Sequence, residues 1–137
     1  MPPTNHTLTL SVMEGLFAII RLASDAPLPA WAAQSSFFSA TRTGEELSLV
    51  VPEAAALAEH EVSRGWRMLK VRGPLKFSEV GVLAALANPL ARTGVSIFVI
   101  STFDTDYLLV PQEELSVAVE ALEHAGHCIA NLESLFS

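Results

Sequence analysis

Two short stretches share a pattern that constrains how this chain can fold. "LVVPEA" starts at Leu49 and "LLVPQE" starts at Leu108, so the two are 59 positions apart. An apolar run that ends in proline and an acid or amide is typical of a strand that leads directly into a helix. Because such a signal recurs at a fixed spacing, we predict two equivalent structural units. With the same offset, Leu10 falls on Leu69 and Val12 on Val71.

The remaining sequence predicts a mixture of strands and helices. One helix is expected over 78–92, with Ser78 as N-cap, a kink at Pro89 and a stop at Gly94. A second is expected over 112–125, with acids in its first turn and a stop at Gly126. Alternating or continuous apolar residues predict strands at 8–13, 35–41, 46–51, 66–72, 95–101, 106–110 and 127–132.

This order of elements predicts an α+β fold of two ferredoxin-like (βαββαβ) units in tandem. The first unit, 1–64, is expected to be degenerate. Its first helical segment, "LASDAPLPAWAA", contains two prolines, and its second helix (Pro52 to about Arg64) runs almost directly into the next strand. The second unit is expected over 65–137. Whether the strand at 66–72 belongs to this unit alone or completes both sheets is left open by the sequence.

Charge and composition exclude several classes of partner. The net charge of −7, with 15 acidic and 8 basic residues, disfavours nucleic acid and anionic membranes. With 50% hydrophobic and 17% charged residues the chain is expected to fold. It contains no run of about 20 apolar residues, and its first residues do not resemble a signal peptide, so we expect a soluble, cytoplasmic protein without a membrane partner.

The sequence offers no enzyme motif. It contains neither G-x-S-x-G nor a glycine-rich phosphate loop, and no Ser/His/Asp grouping is compelling. "HAGHC", residues 124–128, has too few ligands in too little space for a closed zinc site, so we interpret it as a helix end and a strand start. Cys128 is the single cysteine, which excludes an internal disulfide. We therefore expect a non-enzymatic protein with no metal and no cofactor.

Residues 65–115 resemble a known family. The stretches "VRGPLKFSEVGVLA", "GVSIF" and "ISTFDTDYLLVP" are similar to the ACT domains of small bacterial tandem-ACT proteins and of eukaryotic cytosolic arginine sensors. The resemblance is close over more than a third of the chain and extends more weakly to the N-terminal half. It implies a regulatory module that binds amino acids or other small ligands.

The resemblance also implies where a ligand binds. ACT domains pack side by side, and their ligand usually lies where the loop after the first strand meets the neighbouring domain, which here is the seam between the two units. Glu79 and Asp106 match carboxylates that the resembling sensors direct toward a cationic ligand. The positions that match the family's ligand-binding stretches are Ser78, Glu79, Val80, Gly81, Val82, Thr102, Phe103, Asp104, Thr105 and Asp106.

The chemistry of these residues is compatible with that role. A helix N-terminus attracts a carboxylate, Gly81 permits a close approach, and Glu79, Asp104 and Asp106 supply oxygens for an ammonium or guanidinium group. Simpler interpretations stay open: "FDTD" is also a common turn sequence, Glu79 suits any helix start, and Gly81 also suits tight packing. We further expect that the stretch after the first strand of the second unit (78–82) and the stretch before its third strand (102–106) come together only when a partner copy docks.

Two functions follow from the sequence. The first is a regulatory protein that binds a small molecule, expected to be an amino acid, and that pairs with itself or with a regulated protein. The alternative is a structural or protein–protein interaction module without a small ligand, which the high apolar fraction and the degenerate first unit favour. The sequence does not identify the ligand, the downstream target or the oligomeric state.

Overall fold

The chain divides into two units, each with its own hydrophobic core. One unit is Gly15–Trp66, and the other combines Met1–Glu14 with Arg67–Ser137. The computed structural model describes residues 7–56, 61–76 and 80–131. None of the helices in these residues is long and apolar enough to cross a membrane.

The elements alternate between strands and short helices along the described chain. The helices are α1 (Ala30–Ala33), α2 (Val82–Arg92) and α3 (Leu115–His124), and the two 3₁₀ turns are Glu53–Ala55 and Gln112–Glu114. The strands are β1 (Thr9–Val12), β2 (Phe17–Leu22), β3 (Ser39–Arg42), β4 (Leu47–Pro52), β5 (Glu61–Val71), β6 (Phe98–Ser101), β7 (Asp106–Pro111) and β8 (Cys128–Ala130).

The unit that contains the C-terminal half has a ferredoxin-like α+β arrangement. The part of β5 from Arg67 onward is followed by α2, β6, β7, α3 and β8, and the sheet order is β8-β1-β5-β7-β6. β1 lies between the first and last strands of this set, antiparallel to β5 and parallel to β8. The sheet of this unit is therefore mixed.

The core of this unit lies between its helices and its sheet. Alternate residues of each strand face the same side, and residues three or four apart on a helix share a face. Leu86 and Leu90 of α2 and Leu122 of α3 therefore meet the strand residues Leu69 and Leu108, all at 0% exposure. Burial of such side chains is the main stabilising contribution, at about 1.5–3 kcal/mol for each one.

The unit formed by Gly15–Trp66 has the strand order β3-β4-β2-β5, with β2 antiparallel to both neighbours. Its helical elements are reduced to the four residues of α1 and the 3₁₀ turn at Glu53–Ala55. Proline lacks an N–H and fixes its own φ, so Pro27 and Pro29 keep the helix from starting earlier. A smaller core of mostly β2 and β4 side chains remains, including Ile20, Leu47 and Leu49.

The two Val-Pro stretches have the same local structure. Pro52 ends β4 with φ −54° and ψ 137°, and Pro111 ends β7 with φ −58° and ψ 141°. Each proline is followed by a 3₁₀ turn. In contrast, Leu10 and Leu69 do not occupy equivalent places in two units. β1 and the C-terminal part of β5 are antiparallel neighbours in one unit, where Leu10 lies opposite Val71.

Three element predictions differ from the structure. β2 (Phe17–Leu22) was not predicted, although its apolar residues pair with β4 along its whole length. The helix predicted from Pro52 to Arg64 is wrong where the chain is described, because only Glu53–Ala55 is helical and β5 already begins at Glu61. Pairing with β2, in which Val62 lies opposite Ile20, outweighs the local helical preference.

The third difference is the start of α2. The sequence placed its N-cap at Ser78, but the helix begins at Val82 and its N-cap is Gly81. Gly81 adopts a left-handed conformation with φ 85°, which interrupts the right-handed helix and which glycine adopts without steric cost. The predicted end is confirmed, since α2 ends at Arg92 and Gly94 has φ 76°.

His127 connects three segments of the C-terminal unit. It is 5% exposed, and its Nδ1 accepts a hydrogen bond of 3.1 Å from the Leu8 N–H. Its Nε2 lies 3.0 Å from the Ala85 carbonyl oxygen, so this nitrogen carries the hydrogen and donates it. "HAGHC" is a helix end and a strand start, as predicted, because α3 ends at His124 and β8 begins at Cys128.

We predict that His127→Ala lowers the free energy of unfolding by about 2 kcal/mol, because it leaves a partly buried N–H and a partly buried carbonyl without the imidazole as their partner. Urea denaturation monitored by circular dichroism measures this change. His124→Ala is the matched control, since His124 is exposed and ends the preceding helix. Equal unfolding midpoints for both variants would contradict the structural role of His127.

Candidate functional site

Two hydrogen bonds hold the end of β5 against the turn between β6 and β7. The Thr105 hydroxyl, in a side chain that is 4% exposed, donates to the Val71 carbonyl oxygen at 2.6 Å. The Leu75 N–H donates to the Asp104 carbonyl oxygen at 2.7 Å. The exit of β5 therefore lies beside the entry of β7, within one unit.

Gly73 makes this close approach possible. A Cβ atom at this position would lie 2.9 Å from the Asp104 carbonyl oxygen and 3.0 Å from Thr105 Cβ. Separations this short require the neighbouring backbone to move. The glycine in "RGPLK" is thus explained by contact with the opposite turn, a role that the sequence alone did not reveal.

The turn itself is closed by its two threonines. The Thr102 N–H donates to the Thr105 carbonyl oxygen at 2.8 Å, and the Thr102 hydroxyl lies 3.0 Å from the same oxygen. That hydroxyl also accepts a bond of 3.3 Å from the Thr105 N–H. Such local bonds are the ordinary turn chemistry of threonine. They leave Phe103 at the tip, where it is 78% exposed.

The start of α2 lies beside this turn. No side chain caps its first backbone N–H groups among the described residues, and Ala85 supplies the first N–H that bonds back, to the Gly81 carbonyl oxygen at 2.9 Å. Uncapped N–H groups and the helix dipole give this end a partial positive charge. Val82 is buried, whereas Val80, just before the helix, is 80% exposed.

These elements enclose a cavity of about 300 Å³. Its described lining contains two carboxylates and one ammonium group, together with hydroxyl and apolar side chains. The lining residues come from the loop after β5, the start of α2 and the β6–β7 turn: Leu75, Lys76, Gly81, Val82, Leu83, Ser101, Thr102, Phe103, Asp104, Thr105 and Asp106.

The structure brings together seven of the ten predicted positions. Gly81, Val82 and all of 102–106 line the cavity. Val80 lies beside it in sequence and is exposed, and Ser78 and Glu79 lie outside the described residues. Leu75, Lys76, Leu83 and Ser101 were not predicted. All four fall within the stretches "VRGPLKFSEVGVLA" and "ISTFDTDYLLVP", so the sequence could have indicated them.

The expectation that the two stretches meet only across a docked copy is wrong. Both line the same cavity inside one unit. The reason is the pairing of β5 with β7, which places the end of the first beside the start of the second. A further partner is not needed to bring Asp106 near the start of α2.

We predict that Gly73→Ala lowers the free energy of unfolding by about 1–3 kcal/mol, because its new methyl group overpacks the backbone of the turn. Amide resonances of the turn at 102–106 should shift in a ¹⁵N spectrum. Gly44→Ala is the matched control, since a Cβ there meets no atom within 4 Å. Unchanged turn resonances in Gly73→Ala would contradict the packing described.

Known families match most of the described chain. The sequence model of the ACT domain matches residues 61–124, and a second family model, which describes an N-terminal domain, matches residues 15–55. Residues 61–124 therefore form an ACT domain.

A curated relative carries a functional name. The chain is 42% identical over 67 residues to the cytosolic arginine sensor for mTORC1 subunit 1 of Rattus norvegicus. This match covers 48% of the chain and 20% of the relative, so the chain spans about a fifth of the protein that it resembles.

Solved structures extend the similarity to nearly the whole chain. A protein from Agrobacterium tumefaciens is 37% identical with a TM-score of 0.85, and the match covers 90% of this chain and 92% of that one. The aspartate kinase of Clostridium acetobutylicum, described as an allosteric enzyme, has a TM-score of 0.63 at 13% identity. That match covers 85% of this chain and 34% of the kinase, and it supports the fold alone.

Proposed function

We propose that the chain is a non-enzymatic regulatory protein that binds a free amino acid in the cavity of its ACT domain. The observation that carries the proposal is the juxtaposition of Asp104 and Asp106 with the start of α2, where the N-cap Gly81 forms no side-chain hydrogen bond. An amino acid presents an anionic carboxylate and one or more cationic groups. The helix N-terminus suits the first and the two aspartates suit the second.

The lining favours an amino acid with a cationic side chain. Two carboxylates face one ammonium group, Lys76, among the described lining residues, so the cavity favours added positive charge. Phe103 adds an aromatic ring, which attracts a guanidinium or ammonium over its face. The name of the rat relative, an arginine sensor, makes L-arginine the first ligand to test.

We also propose that both units are copies of one ferredoxin-like fold, with Gly15–Trp66 as the degenerate copy. Its strand order and the matching Val-Pro corners support this interpretation. Its two helical elements are reduced to four and three residues. Packing of the units side by side and a cytoplasmic location stay predictions, whereas the ligand is proposed in the cavity of the ACT domain instead of between the units.

A protein–protein interaction module is the second candidate function. Val80 and Phe103 are 80% and 78% exposed, and Leu83 is 42% exposed. Phe103 and Leu83 line the cavity, while Val80 precedes the helix that borders it. Exposed apolar side chains around a cavity that contains charged groups are also typical of a surface that a partner covers.

Calorimetry with a ligand-free sample tests the first function. We expect L-arginine or another of the twenty amino acids to bind, and Asp106→Asn to weaken that binding about tenfold to a hundredfold by removing a charge-assisted hydrogen bond. Glu113→Gln is the control, since Glu113 is an exposed acid that does not line the cavity.

Absence of heat and of thermal stabilisation with all twenty amino acids would contradict amino-acid binding. If a partner protein instead covered Phe103 and competed with no amino acid, the second function would be favoured. Unchanged affinity in Asp106→Asn would contradict the proposed position of the site but not the binding of an amino acid.

A further inference from the structure

A second concave site lies on the helical side of the C-terminal unit, away from the residues of the first cavity. It is a groove of about 420 Å³ between the end of α2 and one face of α3. None of the residues that line it also lines the cavity at Asp106. Its volume falls within the range of small-molecule sites.

The floor of the groove is apolar and its rim carries charge. Pro89 and Ala121 form a buried floor, and the half-exposed Val117 extends the apolar surface. Arg92, at the end of α2, and Glu120, on α3, also line the groove. An apolar surface with a few polar groups is the usual composition of a ligand site.

The two charges at the rim do not neutralise each other. Within the residues that the structure describes, Arg92 and Glu120 form no ion pair within 4.0 Å, although both face the same groove. The Arg92 Nε donates to the Asn88 carbonyl oxygen at 3.3 Å, which ties the guanidinium to the end of α2. A cation on α2 and an anion on α3 thus line the same groove without forming an ion pair with each other.

We propose that this groove is a second small-molecule site, for a free amino acid with an apolar side chain. A zwitterion supplies a carboxylate for the Arg92 guanidinium and an ammonium group for the Glu120 carboxylate, which are complementary charge-assisted bonds. Its side chain then covers Pro89, Ala121 and Val117. The proposal does not depend on the cavity at Asp106, because it uses different residues and an amino acid with a different type of side chain.

The exposure of both charged side chains sets the strength of binding. Ion pairs at the protein surface are individually weak and are screened by salt. We therefore expect low affinity that falls as ionic strength rises, and we expect both ends of the zwitterion to be needed.

The test is a ¹⁵N NMR titration of the full chain with L-valine, L-leucine, L-methionine and L-phenylalanine at low ionic strength. At least one is expected to give saturable shifts that centre on 89–93 and 117–125. For L-leucine, the matched ligands are 4-methylpentanoate, which lacks the ammonium group, and isoamylamine, which lacks the carboxylate. Each is expected to bind about threefold to tenfold more weakly.

Matched variants separate this site from other parts of the chain. Arg92→Gln and Glu120→Gln are expected to weaken binding about threefold to tenfold. Glu123→Gln, an exposed acid on α3 outside the groove, should leave binding unchanged.

Three outcomes would overturn the proposal. The first is the absence of saturable shifts at the groove with all four amino acids. The second is equal affinity of L-leucine and its two truncated analogues. The third is a concentration-dependent dimer that protects the groove residues without added ligand, since a second copy would then be the occupant.

Discussion

The contact between the end of β5 and the β6–β7 turn determines the position of the candidate site. Thr105 bonds to Val71 and Leu75 bonds to Asp104, at 2.6 and 2.7 Å. Gly73 allows the two backbones to approach, because a side chain there would collide with the turn. With this contact in place, the turn and the start of α2 enclose one cavity. Two carboxylates thus share a space with a helix N-terminus.

Much of the ACT domain was predictable because its sequence signals are local. The Val-Pro corner at Pro111, the end of α2 before Gly94 and the end of α3 before Gly126 each depend on a few adjacent residues. The turn residues Thr102–Asp106 were identified as a stretch for the same reason, and the structure places all of them at the cavity.

What the sequence did not predict depends on contacts between distant residues. The pairing of β1 with the C-terminal part of β5, with Leu10 opposite Val71, has no local signal. Gly81 was correctly selected, but its left-handed φ of 85° and its role as N-cap follow only from the folded chain. The pairing of β5 with β7 also brings Thr105 within hydrogen-bond distance of Val71. Residues of one unit therefore suffice to build the cavity.

A crystal structure of the chain grown with L-arginine tests directly whether the ACT domain builds a ligand cavity from residues of one unit. We expect electron density for the ligand between Asp106 and the start of α2, with its cationic group toward the aspartate and its carboxylate toward the helix. An ordered arginine bound at another place, with this cavity empty, would contradict this expectation.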